Sequence, residues 1–97
     1  MKTGLIAGLL LAGLSAGSVM AAPPTGEQKA EFYKTCMGIA QDETLCSCKA
    51  EATTDLIDSA FMTIVISSMQ GQALAAEYYV PYNAYVAHSN QVCKPNY

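Results

Sequence analysis

TCMGIAQDETLCSCKAE, residues 35–51, decides the fold. Its centre, Gln41-Asp42-Glu43-Thr44, is a polar break in which Asp42 or Thr44 can cap a following helix. Cys36 stands before the break, and Cys46 and Cys48 stand after it. On a helix, residues two apart point about 200° away from each other. Cys46 and Cys48 therefore reach different neighbours, because a bond between them would need a strained ring and would disrupt the helix start. Two antiparallel helices bring together residues equidistant from their turn. Cys36 and Cys46 are centred on residue 41, inside this break. Cys48 and Cys93 are centred between residues 70 and 71, inside a second turn, Gln70-Gly71-Gln72. One up-down-up arrangement thus accounts for both bonds. The exchanged set, Cys36–Cys48 with Cys46–Cys93, moves each centre by only one residue and stays open beside the preferred one.

Helical periodicity extends on both sides. Pro23-Pro24 reads as an extended lead-in, and Thr25 with Gln28 has capping-box spacing, so a first helix is expected from Gly26 to Ala40. Phe32, Cys36 and Ile39 recur along it at three- and four-residue steps. A second helix is expected from the polar break through Ala50, Leu56, Ile57, Phe61, Ile64 and Val65 to Met69. Residues 61–66 are apolar nearly all round, as in a helix buried mid-bundle. The third helix begins near Ala73, carries Tyr78, Tyr82 and Tyr85, and is expected to kink or break at Pro81, which lacks an amide donor. The expectation is an all-α, disulfide-linked, three-helix up-down-up bundle.

The amino end reads as a secretory leader. Met1-Lys2 is a short positive start, Leu5 to Leu14 is almost wholly apolar, and Val19 and Ala21 are small residues at the −3 and −1 positions of a cleavage site. Residues 1–21 are therefore expected to be a signal peptide and residues 22–97 the mature domain. The rival reading is an uncleaved anchor, since residues 4–22 carry no charge over a length near the spanning minimum. Glycines at 4, 8, 13 and 17 weaken that span, and no positive cluster follows it. No cysteine lies near the cut, which excludes lipid modification there.

Cleavage leaves Lys29, Lys34, Lys49 and Lys94 against eight carboxylates, a net charge of −4 with no arginine. Phosphate recognition needs cations arranged along a face, so nucleic acid and anionic lipid are poor partners for such a chain. A mature domain this short builds one small core and often needs covalent help. Export to an oxidising compartment, periplasm or medium, together with an even number of cysteines reads as a disulfide framework.

The pattern Phe32-x3-Cys36-x9-Cys46-x-Cys48, then a helix with Leu56 and Phe61, then a closing Cys93, resembles small exported four-cysteine helical proteins of Gram-negative bacteria. The resemblance implies export and a disulfide-bonded helical fold, and it implies no particular activity. Cys36-x9-Cys46 is also similar to half of the twin-cysteine hairpins of the mitochondrial intermembrane space. The second step of that motif is missing and a secretory leader is present, which sets the family aside.

Three chemical readings compete with structural ones. Cys46-Ser47-Cys48 at a helix start has the setting of a reactive thiol pair, but each cysteine is already assigned to a structural bond. Thioredoxin-like chemistry would need two intervening residues and a βαβ context. Met37, Met62, Met69 and His88 are soft or borderline donors of the kind that hold copper. They are scattered along the chain, and methionine is a common core filler. No metal and no cofactor is therefore expected. Tyr78, Tyr79, Tyr82 and Tyr85 form a possible interface, because tyrosine combines apolar area with a hydrogen-bonding tip; the structural alternative has two or three of these rings packing the core.

No catalytic role is assigned. The single histidine, His88, has no free cysteine to pair with, and Asp55 and Asp58 read as one solvated helix face. The functional expectation is a non-enzymatic exported protein acting through protein contacts, such as an inhibitor, an immunity-type protein or an envelope-stress factor. The alternative is a small-ligand or metal carrier that uses the bundle interior.

Overall fold

The computed structural model describes residues 21–94, and apart from Ala21 the signal-peptide assignment lies outside them. The described chain is helical, with no strand among these residues. Four α-helices follow in order: α1 (Gly26–Ile39), α2 (Glu43–Leu56), α3 (Ser59–Met69) and α4 (Tyr79–Val92), the last preceded by a 3₁₀ turn at Ala76–Tyr78.

Helix α1 starts as its sequence dictates. The Thr25 hydroxyl accepts from the Gln28 amide at 3.0 Å, and the Gln28 side chain accepts from the Thr25 amide at 2.9 Å. Two of the amides left without helical acceptors are thereby satisfied. The helix ends at Ala40, after which Gln41 takes the left-handed conformation with φ 55°. In that geometry the Gln41 amide donates to the Met37 carbonyl at 3.2 Å, a left-handed cap normally occupied by glycine. Asp42 then caps α2, accepting from the Leu45 amide at 3.0 Å.

The second helix expected from the sequence is two helices. Ile57 is extended, with φ −142° and ψ 164°, and Asp58 caps α3 by accepting from the Phe61 amide at 2.8 Å. Aspartate is a poor helix-interior residue and a strong cap. Asp58 is therefore a helix-starting residue and does not belong to a solvated face shared with Asp55. The break is reinforced from outside. The Ser59 amide donates to the Ala22 carbonyl at 2.8 Å, and the Ser59 hydroxyl donates to the Gln28 side chain at 2.9 Å. The Gln28 side-chain amide in turn donates to the Ser59 carbonyl at 2.9 Å and to the Thr63 hydroxyl at 3.2 Å. Gln28 thus fills its donor and acceptor capacity by joining the start of α1 to the start of α3.

The third expected helix also changes. Gly71, with φ 95°, closes α3: its amide donates to the Ser68 carbonyl and the Gln72 amide to the Ser67 carbonyl, both at 3.0 Å. These are the two bonds of a Schellman motif. Residues 72–75 are non-helical, and α4 begins only at Tyr79. Pro81 is the third residue of α4. In a first turn the amide that proline lacks has no helical acceptor to lose, so α4 starts around Pro81 and is not broken there.

Helix α1 packs against both α2 and α3, and α4 packs against α2. Two disulfides tie this arrangement, Cys36–Cys46 between α1 and α2 and Cys48–Cys93 between α2 and the end of α4. This is the pairing preferred by the equidistance argument. The core comprises Phe32, Cys36, Cys46, Ala50, Met62, Val65, Ile66 and Tyr85, drawn from all four helices. Fully burying a side chain such as Phe32, Met62 or Val65 contributes roughly 1.5–3 kcal/mol. At the α1–α3 seam, Gln70 reaches Glu31 at 2.9 Å and Thr35 at 3.3 Å.

Gln41 holds a backbone conformation that costs a non-glycine residue roughly 1–2 kcal/mol, against a loss of about 0.5–1 kcal/mol when glycine is ordered. Gln41→Gly is expected to raise unfolding stability by up to about 1 kcal/mol, and Gln41→Val to lower it by more than about 1 kcal/mol. Urea unfolding of the two variants checks this.

Candidate functional site

A groove of about 500 Å³ opens between α1, α2 and α4, with residues of α3 also lining it. Its apolar wall is built by periodicity. Phe32, Cys36 and Ile39 present one face of α1, and Tyr82, Tyr85, Val86 and Ser89 present one face of α4. Val65 and Met69 contribute from α3. From α2 come Leu45 and Lys49, one turn apart, with Asp42 at the capping position before them.

Lys49 is the exceptional member. Its side chain is half-buried, its ammonium donates to the Asn90 side-chain oxygen, and burial lowers its pKa. Ammonium groups taken out of water are usually paired with an anion. Among the described residues the one ion pair is Lys29–Glu51 at 3.5 Å, so Lys49 faces no carboxylate within salt-bridge distance. Asp42 also borders the groove, but it lies seven residues back along α2, a rise of roughly 10 Å, and it accepts from the Leu45 amide. Lys49 is half-buried, has a neutral partner, and stands on a mostly apolar wall whose one anionic member is Asp42.

The four tyrosines separate. Tyr85 is buried and Tyr82 half-buried, with ring centres 6.5 Å apart, and both line the groove. Tyr78 is half-buried and turned to Phe61, with ring centres 6.0 Å apart. Tyr79 is 53 % exposed. The cause is the late start of α4: Tyr78 belongs to the preceding 3₁₀ turn, which removes it from the helical face of Tyr82 and Tyr85. Burial, with a smaller contribution from Tyr82, raises the pKa of Tyr85 above the ordinary phenol value.

The remaining candidates stand apart. Among the described residues there is no group of three or more His, Cys, Asp or Glu side chains able to hold a metal. Met62 is fully buried in the core, Met37 is half-buried against it, and Met69 lines the groove. His88 is exposed. Every cysteine is in a disulfide. Sequence reasoning counted Lys49 only as a charge. The signal that marks it is positional: Asp42, Leu45 and Lys49 follow each other at three- and four-residue steps, one face of α2.

Among the described residues no helix is long and apolar enough to cross a membrane. Comparison with protein-family models, curated proteins and solved structures gives no match.

The raised Tyr85 pKa carries a sign. The phenol loses its proton more readily in the unfolded chain than in the folded one. The folded state therefore keeps this contribution up to pH about 10 and loses it as the pH rises further. Thermal unfolding above pH about 10 is expected to fall more steeply in the native protein than in Tyr85→Phe, by up to about 1.4 kcal/mol per pH unit. Equal slopes would place the hydroxyl in water.

Proposed function

We propose that this protein is an exported, non-enzymatic carrier that takes a small apolar ligand into the groove between α1, α2 and α4. The groove carries the reading. Its volume of about 500 Å³ lies in the range of ligand sites, roughly 300–1,000 Å³. Its walls are mostly apolar, with a few polar groups, as ligand sites are. Two disulfides fit an oxidising compartment, periplasm or medium, and they hold the walls without help from a large core. The carrier role needs no catalytic group.

A second reading, action through protein contacts as an inhibitor, immunity-type or envelope-stress factor, is supported by a different observation. Ile39, Tyr79, Val80 and Val92 are all more than half exposed. A pull-down from periplasmic extract that recovers no specific partner would count heavily against it.

The carrier reading is tested by thermal unfolding with a panel of neutral and anionic amphiphiles kept below micelle formation. At about a hundredfold excess over Kd a ligand that binds only the folded state adds about 2.7 kcal/mol. In a domain of this size that raises Tm by roughly 10–20 °C. A flat response across the whole panel would remove the carrier reading.

A further inference from the structure

The geometry points to a medium-chain monocarboxylate as the ligand class, with its acyl chain along the apolar wall of the groove and its carboxylate on Lys49. The inference rests on the carrier reading and narrows it. Lys49 borders the groove, is half-buried, and has a neutral amide, Asn90, as its hydrogen-bond partner. An ammonium has three donors, and the bond to Asn90 uses one. The others have no partner among the hydrogen bonds of the described residues, and the side chain that carries them borders the groove. A carboxylate supplies the missing anion, and charge-assisted bonds of this kind gain strength where water is partly excluded.

Charge complementarity also selects against other occupants. A neutral amphiphile would cover the wall and leave the ammonium uncompensated in a drier site, which costs free energy. A cationic amphiphile would meet Lys49 directly. Phosphate-rich headgroups carry more charge than one lysine balances, and among the described residues no second cation lines the groove. Asp42, at the capping end of α2, repels an anion placed near it. That repulsion favours the register with the carboxylate about two turns further along α2, at Lys49. The apolar remainder then meets the partly exposed lining residues Leu45, Met69, Tyr82 and Val86.

Titration calorimetry of the full mature protein at neutral pH, with decanoate and decanol as probes, tests the assignment. Decanoate is expected to bind about tenfold or more tightly than decanol, the ratio given by one hydrogen bond to a charged group. Lys49→Met keeps the length and apolar stem of the side chain. It is expected to remove the preference for decanoate, weakening decanoate and binding decanol at least as tightly as the native protein does, because the uncompensated ammonium is gone. Lys49→Arg is expected to keep the preference. Circular dichroism confirms that each variant is folded. Equal binding of decanoate and decanol to the native protein would overturn the carboxylate assignment and leave the carrier reading standing. Binding of neither probe would overturn the assignment, and a flat response across the wider panel would remove the carrier reading as well. A preference for decanoate that survives in Lys49→Met would place the headgroup elsewhere and overturn the assignment.

Discussion

Two cysteines on opposite sides of one helical turn are the constraint on which this fold depends. Cys46 and Cys48 lie in the first turns of α2, about 200° apart around its axis, and their bonds run to α1 and to the end of α4. The sequence separations closed are 10 and 45 residues. Chain-entropy arguments assign such closures roughly 3 and roughly 4 kcal/mol, comparable with the whole stability expected of a domain this small. Asp42 makes the geometry possible, since its cap fixes where α2 begins and therefore where both sulfurs point. Helix α1 is held on one side, α4 on the other, and α3 follows by packing on α1.

The groove is a consequence of this clamp. Helix α4 packs against α2 and is bonded to it at its last turn, while α1 is bonded to α2 two residues earlier. The three helices meet near the clamp, and Lys49 directly follows Cys48. The bond that anchors α4 therefore also brings Asn90 within hydrogen-bond reach of the Lys49 ammonium. Structural and binding roles share the same stretch of α2: the two sulfurs leave it on opposite sides, and Leu45 and Lys49 stand one turn apart on the groove.

What could be read from the sequence was what acts locally. The cap at Thr25 and Gln28 and the cap at Asp42 involve residues three apart, and both are present. Cysteine spacing pointed to Cys36–Cys46 because these residues flank a single short break. Cys48–Cys93 forms as preferred, but α3 lies between the helices that carry it, so a single hairpin about residues 70–71 is not what joins them. The division of the second helix was not legible, because Asp58 reads as one more polar residue on a long amphipathic stretch. Its role as a cap is supported by the Ala22 carbonyl and the Gln28 side chain, which come from far along the chain. The tyrosine run failed as a common face for a related reason. Residues 78, 82 and 85 share a helical face only if the helix has begun before Tyr78, and it begins at Tyr79. The burial of Lys49 required α4 to be in place, and no feature within α2 alone announces it.

The most direct test of the clamp is urea unfolding of the double variant Cys48→Ala/Cys93→Ala beside Cys36→Ala/Cys46→Ala. The account predicts a loss of roughly 4 kcal/mol for the first and a smaller loss, roughly 3 kcal/mol, for the second, following the lengths of chain they close. A loss below about 1 kcal/mol on removing the Cys48–Cys93 bond would contradict it, because α4 would then be held by packing alone and α2 would not be the element on which the fold depends.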